Sequence, residues 1–246
     1  MKRRIVGKRA VQEALTAGGL LHVIYVSTKE RDSLTQIVAL AQRAGLIVET
    51  ASPAELDQLA KGMPHQGIVA IVGSYSYLPL ESLIPNDGRG GQRLVALDEI
   101  TDPQNLGAIV RSAVAFGFDG LILPRHRAAS VTAAVVRASA GGTEHAKIAR
   151  VSNLSKAFAY LREHHDYEVI GLAADAEIPL QALAPSDRNR VLVVGSEGKG
   201  LRRLVKEHCD MVVRIEMKGP LGSLNASVAA AIAMYTLSAA TINDSI

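Results

Sequence analysis

Cysteine is nearly absent from this sequence, which contains only Cys209 among its 246 residues. A single thiol excludes an intrachain disulfide and a cysteine metal cluster, and it fits a reducing compartment. The longest apolar run, 226–240, is shorter than the roughly 20 residues that a membrane span needs, so we interpret it as a buried helix. Polar residues interrupt the stretch after the basic N-terminus, which argues against a secretion signal. We therefore expect a soluble, cytoplasmic protein.

The sequence also lacks the patterns that are typical of a serine-hydrolase site and of a metal site. No G-x-S-x-G segment occurs, which argues against the usual serine-hydrolase turn. The histidines have no carboxylate or cysteine at the spacing of metal ligands, so we expect no metal site. These scattered histidines include His126, His145, His164, His165 and His208.

Positive charge is distributed unevenly, although the net charge is only +3. Residues 1–73 contain 9 Lys/Arg against 6 Asp/Glu, whereas residues 74–246 contain 18 of each. A basic N-terminal part indicates a polyanionic partner such as a nucleic acid, and an ordinary solvated N-terminus remains an equal alternative. The basic residues concentrate at Lys2, Arg3, Arg4, Lys8 and Arg9.

Short apolar runs alternate with helical patterns along the whole chain, which is typical of an α/β fold. The later runs are continuously apolar, as in a parallel sheet that is covered on both faces. The predicted strands are 22–26, 46–49, 67–72, 94–99, 120–124, 168–173, 190–195 and 211–216. The predicted helices are 33–45, 53–62, 103–117, 153–165, 201–209 and one that begins near Asn225.

The alternation lapses in the middle of the chain, where prolines and an Asn-Asp-Gly turn precede a glycine-rich stretch. We therefore predict a linker at 74–92 that joins an N-terminal domain, 1–73, to a C-terminal domain, 93–246.

The first candidate site lies in LDEITDPQNLGAIVRSAVAFG, residues 97–117. Asp102 is a plausible N-cap and Pro103 suits a first helical turn. Asn105 then lies near a helix N-terminus at the carboxyl end of a strand, where open α/β sheets bind ligands. Arg111 lies off the apolar stripe of the helix. A helix cap at Asn105 and a solvated arginine remain alternatives. The stripe comprises Leu106, Ile109, Val110 and Ala113.

The second candidate is the glycine-rich turn in VLVVGSEGKGL, residues 191–201. Gly195, Gly198 and Gly200 permit close approach of a ligand to the backbone. Their spacing matches neither the P-loop nor the dinucleotide fingerprint. Glu197 would repel a phosphate and suits a cationic ligand or a hydroxyl donor, with a solvated turn carboxylate as the alternative. The following Arg202, Arg203 and Lys206 could contact a phosphate backbone or form a solvated face.

The third candidate is GSLNASVAAAIAMY, residues 222–235. Ser223, Asn225 and Ser227 precede a segment, 228–234, that is apolar on every side. One side chain suffices to cap a helix N-terminus. The polar residues therefore indicate a loop that also serves a ligand, and capping alone remains the alternative.

Together the three segments resemble the signature motifs of the SpoU (TrmH) class of RNA ribose 2′-O-methyltransferases. The motifs are DPQNLGAIVRSA, VVGSEGKGL and IEMKGPLGSLNASVAAAI. Residues 7–15 and 65–67 resemble the family's N-terminal RNA substrate-binding domain, which is similar to ribosomal L30e/L7Ae proteins. The sequence is most similar to the branch that methylates a guanosine ribose of 23S rRNA.

The resemblance implies an α/β knot, the deep trefoil knot of SPOUT methyltransferases, in the C-terminal domain. It implies that two loops hold S-adenosylmethionine in a bent shape, that 228–234 is an enclosed helix, and that the protein forms a homodimer. The implied cofactor-binding residues are Gly195, Ile215, Met217 and Leu224. The implied catalytic residues are Asn105, Arg111, Glu197, Ser223 and Asn225.

Two positions qualify this resemblance. Arg111 is regarded in the family as the base, but a guanidinium holds its proton above a pH of about 12. Our hypothesis is that Arg111 clamps the target phosphate and polarises the ribose hydroxyl. Glu216 stands where the family commonly has proline, so it could alter the edge or charge of the cofactor strand.

Two other functions remain open from the sequence. One is a tRNA ribose methyltransferase of the same superfamily. The other is a non-catalytic RNA-binding assembly factor with a degenerate knot.

Overall fold

The computed structural model describes residues 4–16, 21–73, 75–85, 90–183, 186–220 and 222–239. The chain forms two compact units. The first comprises Met1–Ser76 with Val131–Arg137, and the second comprises Tyr77–Ser130 with Ala138–Ile246. The boundaries expected from the sequence, 1–73, 74–92 and 93–246, stay a prediction.

The first unit contains a mixed sheet of four strands in the order β1-β4-β2-β3 within the described residues. β4 runs antiparallel to β1 and β2, while β2 and β3 are parallel. The strands are β1 Arg4–Val6, β2 Leu21–Ser27, β3 Ile47–Ala51 and β4 Ile68–Val72. The helices are α1 Lys8–Thr16, α2 Thr35–Arg43 and α3 Pro53–Ala60.

The second unit contains a sheet of seven described strands in the order β7-β6-β5-β10-β8-β11-β9, and every pairing is parallel. The strands are β5 Arg93–Leu97, β6 Gly120–Pro124, β7 Ile148–Val151, β8 Tyr167–Leu172, β9 Ile178–Pro179, β10 Asn189–Val194 and β11 Met211–Arg214. Its helices are α4 Pro103–Ala115, α6 Leu154–His165, α7 Arg203–Glu207 and α8 Ala226–Ala239, whereas α5 Ala133–Ala138 lies in the first unit except for its last residue.

All eight strands and all six helices expected from the sequence are present, and the α/β class with a parallel sheet is confirmed. β11 ends at Arg214, two residues earlier than expected, so Ile215 and Glu216 lie in the following loop. Five further elements, β1, α1, α5, β7 and β9, were not predicted. The strands among them have at most four residues, which is too short for a clear period of two.

Part of the predicted linker packs on the second sheet. Leu78 N donates to Ile148 O at 2.9 Å, and a 3-10 turn follows at Leu80–Leu83. Leu83 is fully buried in the core, and a Cβ added at Gly120 would lie 2.9 Å from Leu83 Cδ2. Apolar side chains thus anchor a segment whose prolines and glycines indicated a linker alone.

The prediction that α8 is buried on every side is wrong for the single chain. Val228, Ile232 and Tyr235 are 47%, 37% and 61% exposed, and their spacing of four and three residues puts them on one helix face. The opposite face is buried through Ala230, Ala233, Met234 and Leu237. Among the described residues, no helix has the length and apolar character that crossing a bilayer requires.

Candidate active site

Helix α4 places Asn105 at the carboxyl edge of the second sheet. Asp102 Oδ1 accepts a hydrogen bond from Gln104 N at 3.0 Å, which confirms the predicted N-cap, and Pro103 occupies the first turn. The predicted apolar stripe of α4 is fully buried. The helix start therefore lies next to the end of β5, with Asn105 half-buried and Arg111 exposed on another face.

The glycine-rich turn that follows β10 permits no side chain at Gly195. A Cβ added there would lie 2.2 Å from Gly200 C and 2.5 Å from Leu201 N. Gly200 N donates to Ser196 O at 2.9 Å, and Ser196 N donates back to Gly200 O at 3.1 Å. Gly198 and Gly200 have φ values of 74° and 63°, which favour glycine. This tight turn exposes the side chain of Glu197.

A buried carboxylate fixes the end of that turn. Asp98 is fully buried; its Oδ2 accepts from Arg202 N at 2.8 Å and its Oδ1 accepts from Arg202 Nε at 2.7 Å. Asp98 N donates to Val194 O at 2.8 Å, so the ends of β5 and β10 are joined as well. Because Arg202 pairs with Asp98, we do not expect it to contact a phosphate. Sequence reasoning missed Asp98, whose signal was an acidic residue at the end of a fully apolar strand.

Three polar residues from the three motifs make direct contact and form what we call the Asn–Glu–Asn cluster: Asn105, Glu197 and Asn225. Asn105 Nδ2 donates to Glu197 Oε1 at 3.0 Å, and Asn225 Nδ2 donates to Asn105 Oδ1 at 3.0 Å. Asn225 Nδ2 also donates to Glu197 Oε1. Hydrogen bonds to an ionised acceptor are stronger than neutral ones, so Glu197 holds both amides in defined orientations.

Asn225 also caps α8. Its Oδ1 accepts from Ser227 N at 2.9 Å, from Ser227 Oγ at 2.6 Å and from Val228 N at 3.3 Å. The two alternatives for this segment are thus combined, because the carbonyl end of Asn225 caps the helix while its amide end joins the cluster. Among the described contacts, Ser223 makes no hydrogen bond to the start of α8.

A cavity of about 670 Å³ opens beside the cluster. Glu197 and Ser223 contribute to its wall, and the volume lies in the range of about 300–1,000 Å³ that is common for small-molecule sites. At the rim, Lys206 Nζ donates to Asp175 Oδ2 at 2.8 Å, and this hydrogen bond lowers the pKa of the Asp175 carboxyl. All four residues expected at the cofactor line this cavity: Gly195, Ile215, Met217 and Leu224.

The nine expected site residues therefore divide by location. Eight belong to the cavity wall or the Asn–Glu–Asn cluster, and Glu197 belongs to both. Ser223 is exposed and lines the cavity. Arg111 is exposed, and within the described part of the chain it has neither a hydrogen bond nor an ion pair.

Glu216 is not part of the cavity wall. Its Oε1 lies 3.9 Å from Arg214 Nη2, and Glu216 does not line the cavity, whereas its neighbours Ile215 and Met217 do. Its effect on cofactor affinity stays a prediction.

The free thiol of Cys209 belongs neither to the cavity wall nor to the Asn–Glu–Asn cluster. Cys209 is half-buried against Gly171, where an added Cβ would lie 2.9 Å from Cys209 Sγ. Burial raises the pKa of Cys209 to about 12, so the thiol stays protonated at neutral pH.

A parallel α/β sheet with a cavity at the carboxyl ends of its central strands is the layout of ligand-binding α/β enzymes. Family models match both halves of the chain. The SpoU rRNA methylase family matches residues 92–235, and the model for RNA 2′-O ribose methyltransferase substrate binding matches residues 4–78. The chain belongs to the SpoU rRNA methylase family.

Relatives and solved structures agree with this membership. A protein named as a member of the TrmH family of tRNA/rRNA methyltransferases in Staphylococcus haemolyticus is 40% identical over 234 residues, which cover 94% of this chain and 93% of the relative. A protein of the same family name from Bacillus subtilis is 37% identical over 234 residues, again 94% and 93% of the two chains.

Two crystal structures share the fold. The SpoU methyltransferase AviRb from Streptomyces viridochromogenes, in complex with AdoMet, superposes with a TM-score of 0.67 at 23% identity and covers 98% of this chain and 91% of its own. An AdoMet-bound rRNA methyltransferase from Sinorhizobium meliloti gives 0.66 at 24% identity, covering 97% and 87%. The predicted α/β fold is confirmed, and the trefoil knot stays a prediction.

Proposed function

We propose that this protein transfers the methyl group of S-adenosylmethionine to a ribose 2′-hydroxyl of RNA, with a guanosine of 23S rRNA as the target. The observation that carries the proposal is the cavity formed by the second and third motifs, which opens directly beside the Asn–Glu–Asn cluster. The RNA methyltransferase relatives and the AdoMet-bound structural neighbours support methyl transfer from S-adenosylmethionine to RNA.

The residues of the cavity fit S-adenosylmethionine. Gly195 lets a ligand lie against the backbone of the turn, because no side chain stands there. Ile215, Met217 and Leu224 give apolar contacts for an adenosine ring, and the carboxylate of Glu197 at the wall favours a positively charged sulfonium. When bound, this group supplies an electrophilic methyl on sulfur, and its displacement leaves a neutral thioether.

The chain's own residues would position the ribose. Asn105 and Asn225 are fixed by Glu197, so their amides present hydrogen-bonding groups at a defined place beside the cavity. Ser223 adds a hydroxyl on the cavity wall. With the cofactor bound, the 2′-oxygen would take the methyl group from sulfur and would lose its proton to a neighbouring group or to water. Holding the two reactants close together would supply much of the rate.

Arg111 would act on the phosphate rather than as the base. Guanidinium groups in general are poor bases, and they match a phosphate in a two-pronged hydrogen bond. The exposure of Arg111, and its lack of a hydrogen-bond or ion-pair partner among the described residues, leave it free for such a contact. We expect Arg111→Lys to reduce turnover, and full turnover would contradict the clamp.

We further propose a homodimer. The apolar face of α8 formed by Val228, Ile232 and Tyr235 is exposed in the single chain, and a second copy would bury it. The expectation of an enclosed α8 would then hold for the dimer.

The decisive experiment measures transfer of a tritium-labelled methyl group from S-adenosylmethionine to total RNA of cells that lack the protein, followed by mapping of the methylated ribose. We expect one guanosine of 23S rRNA to be labelled. Glu197→Gln should lower transfer by at least tenfold, because it weakens the hold on both amides, whereas Glu163→Gln on the exposed surface of α6 should not.

Other results of the same experiment point elsewhere. Label in tRNA instead of rRNA would favour the tRNA enzyme. Calorimetry that shows no heat with S-adenosylmethionine, together with RNA binding, would favour the non-catalytic assembly factor. The complete Asn–Glu–Asn cluster argues against that last alternative.

A further inference from the structure

The strand order divides the carboxyl edge of the second sheet into two flanks around β10. On one flank, the segments after β8 and β11 line the cavity, including Asp175 and Met217. On the other flank lie β5, β6 and β7. Because the proposed cofactor occupies the first flank, an RNA strand that brings its ribose to Asn105 has the second flank available for its neighbouring nucleotides.

The loop that directly follows β6 is basic and exposed. It contains Arg125, His126 and Arg127, and all three side chains are exposed. No Asp or Glu occurs in the sequence between Asp119 and Glu144. The carboxyl end of β6 therefore carries positive charge with no acidic neighbour in its own stretch of chain.

The protein holds this loop beside the start of the active site. Arg127 Nη1 lies 3.2 Å from Glu99 Oε1, and Ala129 N donates to Ile100 O at 2.8 Å. Glu99 and Ile100 belong to the loop that leads from β5 into α4 and Asn105. Arg125 N donates to Val151 O at 2.8 Å, which ties the other end of the loop to β7. The backbone of the loop is thus fixed, while its three side chains remain exposed.

The basic side chains of α7 and its N-cap are already paired with carboxylates, whereas Lys199 on the cavity wall and two residues of the β6 loop have no ion pair among the described residues. Near the cavity, each basic side chain of the α7 region pairs with a carboxylate: Arg202 with Asp98, Arg203 with Glu207, and Lys206 with Asp175. In the β6 loop, Arg127 is paired with Glu99. Within the ranges that the structure describes, Arg125 and His126 form neither an ion pair nor a side-chain hydrogen bond.

We propose that Arg125 and His126 bind phosphates of the RNA strand next to the target ribose, so that the strand crosses the β6 flank while the cofactor occupies the β8–β11 flank. This inference rests on the proposed function. A guanidinium fits a phosphate in a two-pronged hydrogen bond, and an imidazole N–H donates a further one. Arg127 acts as the anchor that aims this loop, because Glu99 already holds it.

The test measures the dissociation constant of a fluorescein-labelled single-stranded RNA of mixed sequence at several potassium chloride concentrations. Each phosphate contact to single-stranded RNA contributes about 0.7 to the slope of log affinity against log salt. Arg125→Gln should therefore reduce the slope by about 0.7 and weaken binding at low salt. The double variant Arg125→Gln/His126→Gln should reduce the slope and the affinity at low salt further.

A matched control removes one positive charge from the opposite edge of the same sheet. Lys147 is exposed at the amino end of β7, so Lys147→Gln should keep the wild-type slope. Calorimetry with S-adenosylmethionine should give the same affinity in all variants, which also verifies that they are folded.

The outcomes separate this inference from the proposed function. If the double variant keeps the wild-type slope, or if Lys147→Gln lowers the slope equally, the β6 loop is not the phosphate contact. Methyl transfer by the wild-type protein in that case leaves the function intact. Absence of methyl transfer by the wild-type protein would instead overturn the function, whatever the slopes are.

Discussion

Gly195 shows how strongly a single residue constrains the cavity. The atoms nearest to its absent side chain are backbone atoms of Gly200 and Leu201, and backbone atoms cannot rotate aside as a flexible side chain does. The turn and the cavity wall therefore depend on the hydrogen atom at this position.

We predict that Gly195→Ala displaces the turn and weakens S-adenosylmethionine binding by about tenfold or more, since forcing atoms into a packed site costs about 1–3 kcal/mol. Calorimetry and thermal unfolding measure both effects. Gly219→Ala is the control, because an added Cβ there meets no atom within 4 Å. Equal affinity of Gly195→Ala and wild type would show that the turn adjusts without loss.

Individual residues also show the limits of sequence reasoning. The N-cap at Asp102 and the buried stripe of α4 were predictable, because caps and helical periodicity depend on residues within a few positions of each other. The pair of Asp98 and Arg202 was not, since its partners are separated by 104 positions. Whether a carboxylate is buried and paired depends on the strand that lies beside it.

Among the elements, α3 begins with a complete capping box. Ser52 Oγ accepts from Glu55 N at 3.3 Å, and Ser52 N donates to Glu55 Oε2 at 2.7 Å. Two hydrogen bonds lower the pKa of the Glu55 carboxyl: the one from Ser52 N has the larger effect, and the one from the Ser52 hydroxyl has the smaller. The ionised form is thus favoured in the folded state, and this contribution to stability is present above the ordinary carboxyl pKa and is lost as the pH falls through the lowered one.

We predict that Glu55→Gln lowers the free energy of unfolding at neutral pH and that the difference from wild type narrows as the solution becomes acidic. Urea unfolding at a series of pH values measures this. Glu13→Gln on the exposed face of α1 is the control, because it removes a surface carboxylate that caps no helix. A Glu55→Gln difference that is constant in acid would mean that the carboxylate charge contributes nothing to the cap.

Other elements differ in how well their sequences specify them. β10 and β8 are long, apolar and bounded by polar residues, so their positions followed from composition. β7 has four residues and includes Arg150, so its sequence carries no clear strand pattern. It forms because β6 offers it a partner from Leu121 to Pro124.

At the scale of the whole molecule, the exposed face of α8 is the surface on which our proposed homodimer rests. Tyr235 packs edge-on against Phe116 with ring centroids 5.7 Å apart, yet it remains 61% exposed. The exposed stripe of Val228, Ile232 and Tyr235 is apolar, and a stripe of that kind is usual at a contact between protein chains.

We predict a dimer by light scattering and a monomer after Ile232→Lys, because burying an unpaired ammonium in the contact is unfavourable. Ile178→Lys on β9 is a matched control, since Ile178 is 42% exposed and Ile232 is 37% exposed. A wild-type monomer would contradict the dimer. A dimer that survives Ile232→Lys unchanged would show that the contact between the chains lies elsewhere.

The amino-acid sequence by itself determined the α/β class, the positions of most strands and helices, and the residue types of the three motifs. These depend on periodicity, caps and glycine, which act over a few residues. Only the tertiary structure decided that Asn105 meets Glu197 across 92 positions and Asn225 across 120, and that one face of α8 stays exposed. The physical reason is that such contacts follow from the order of strands in the sheet, which no local pattern encodes.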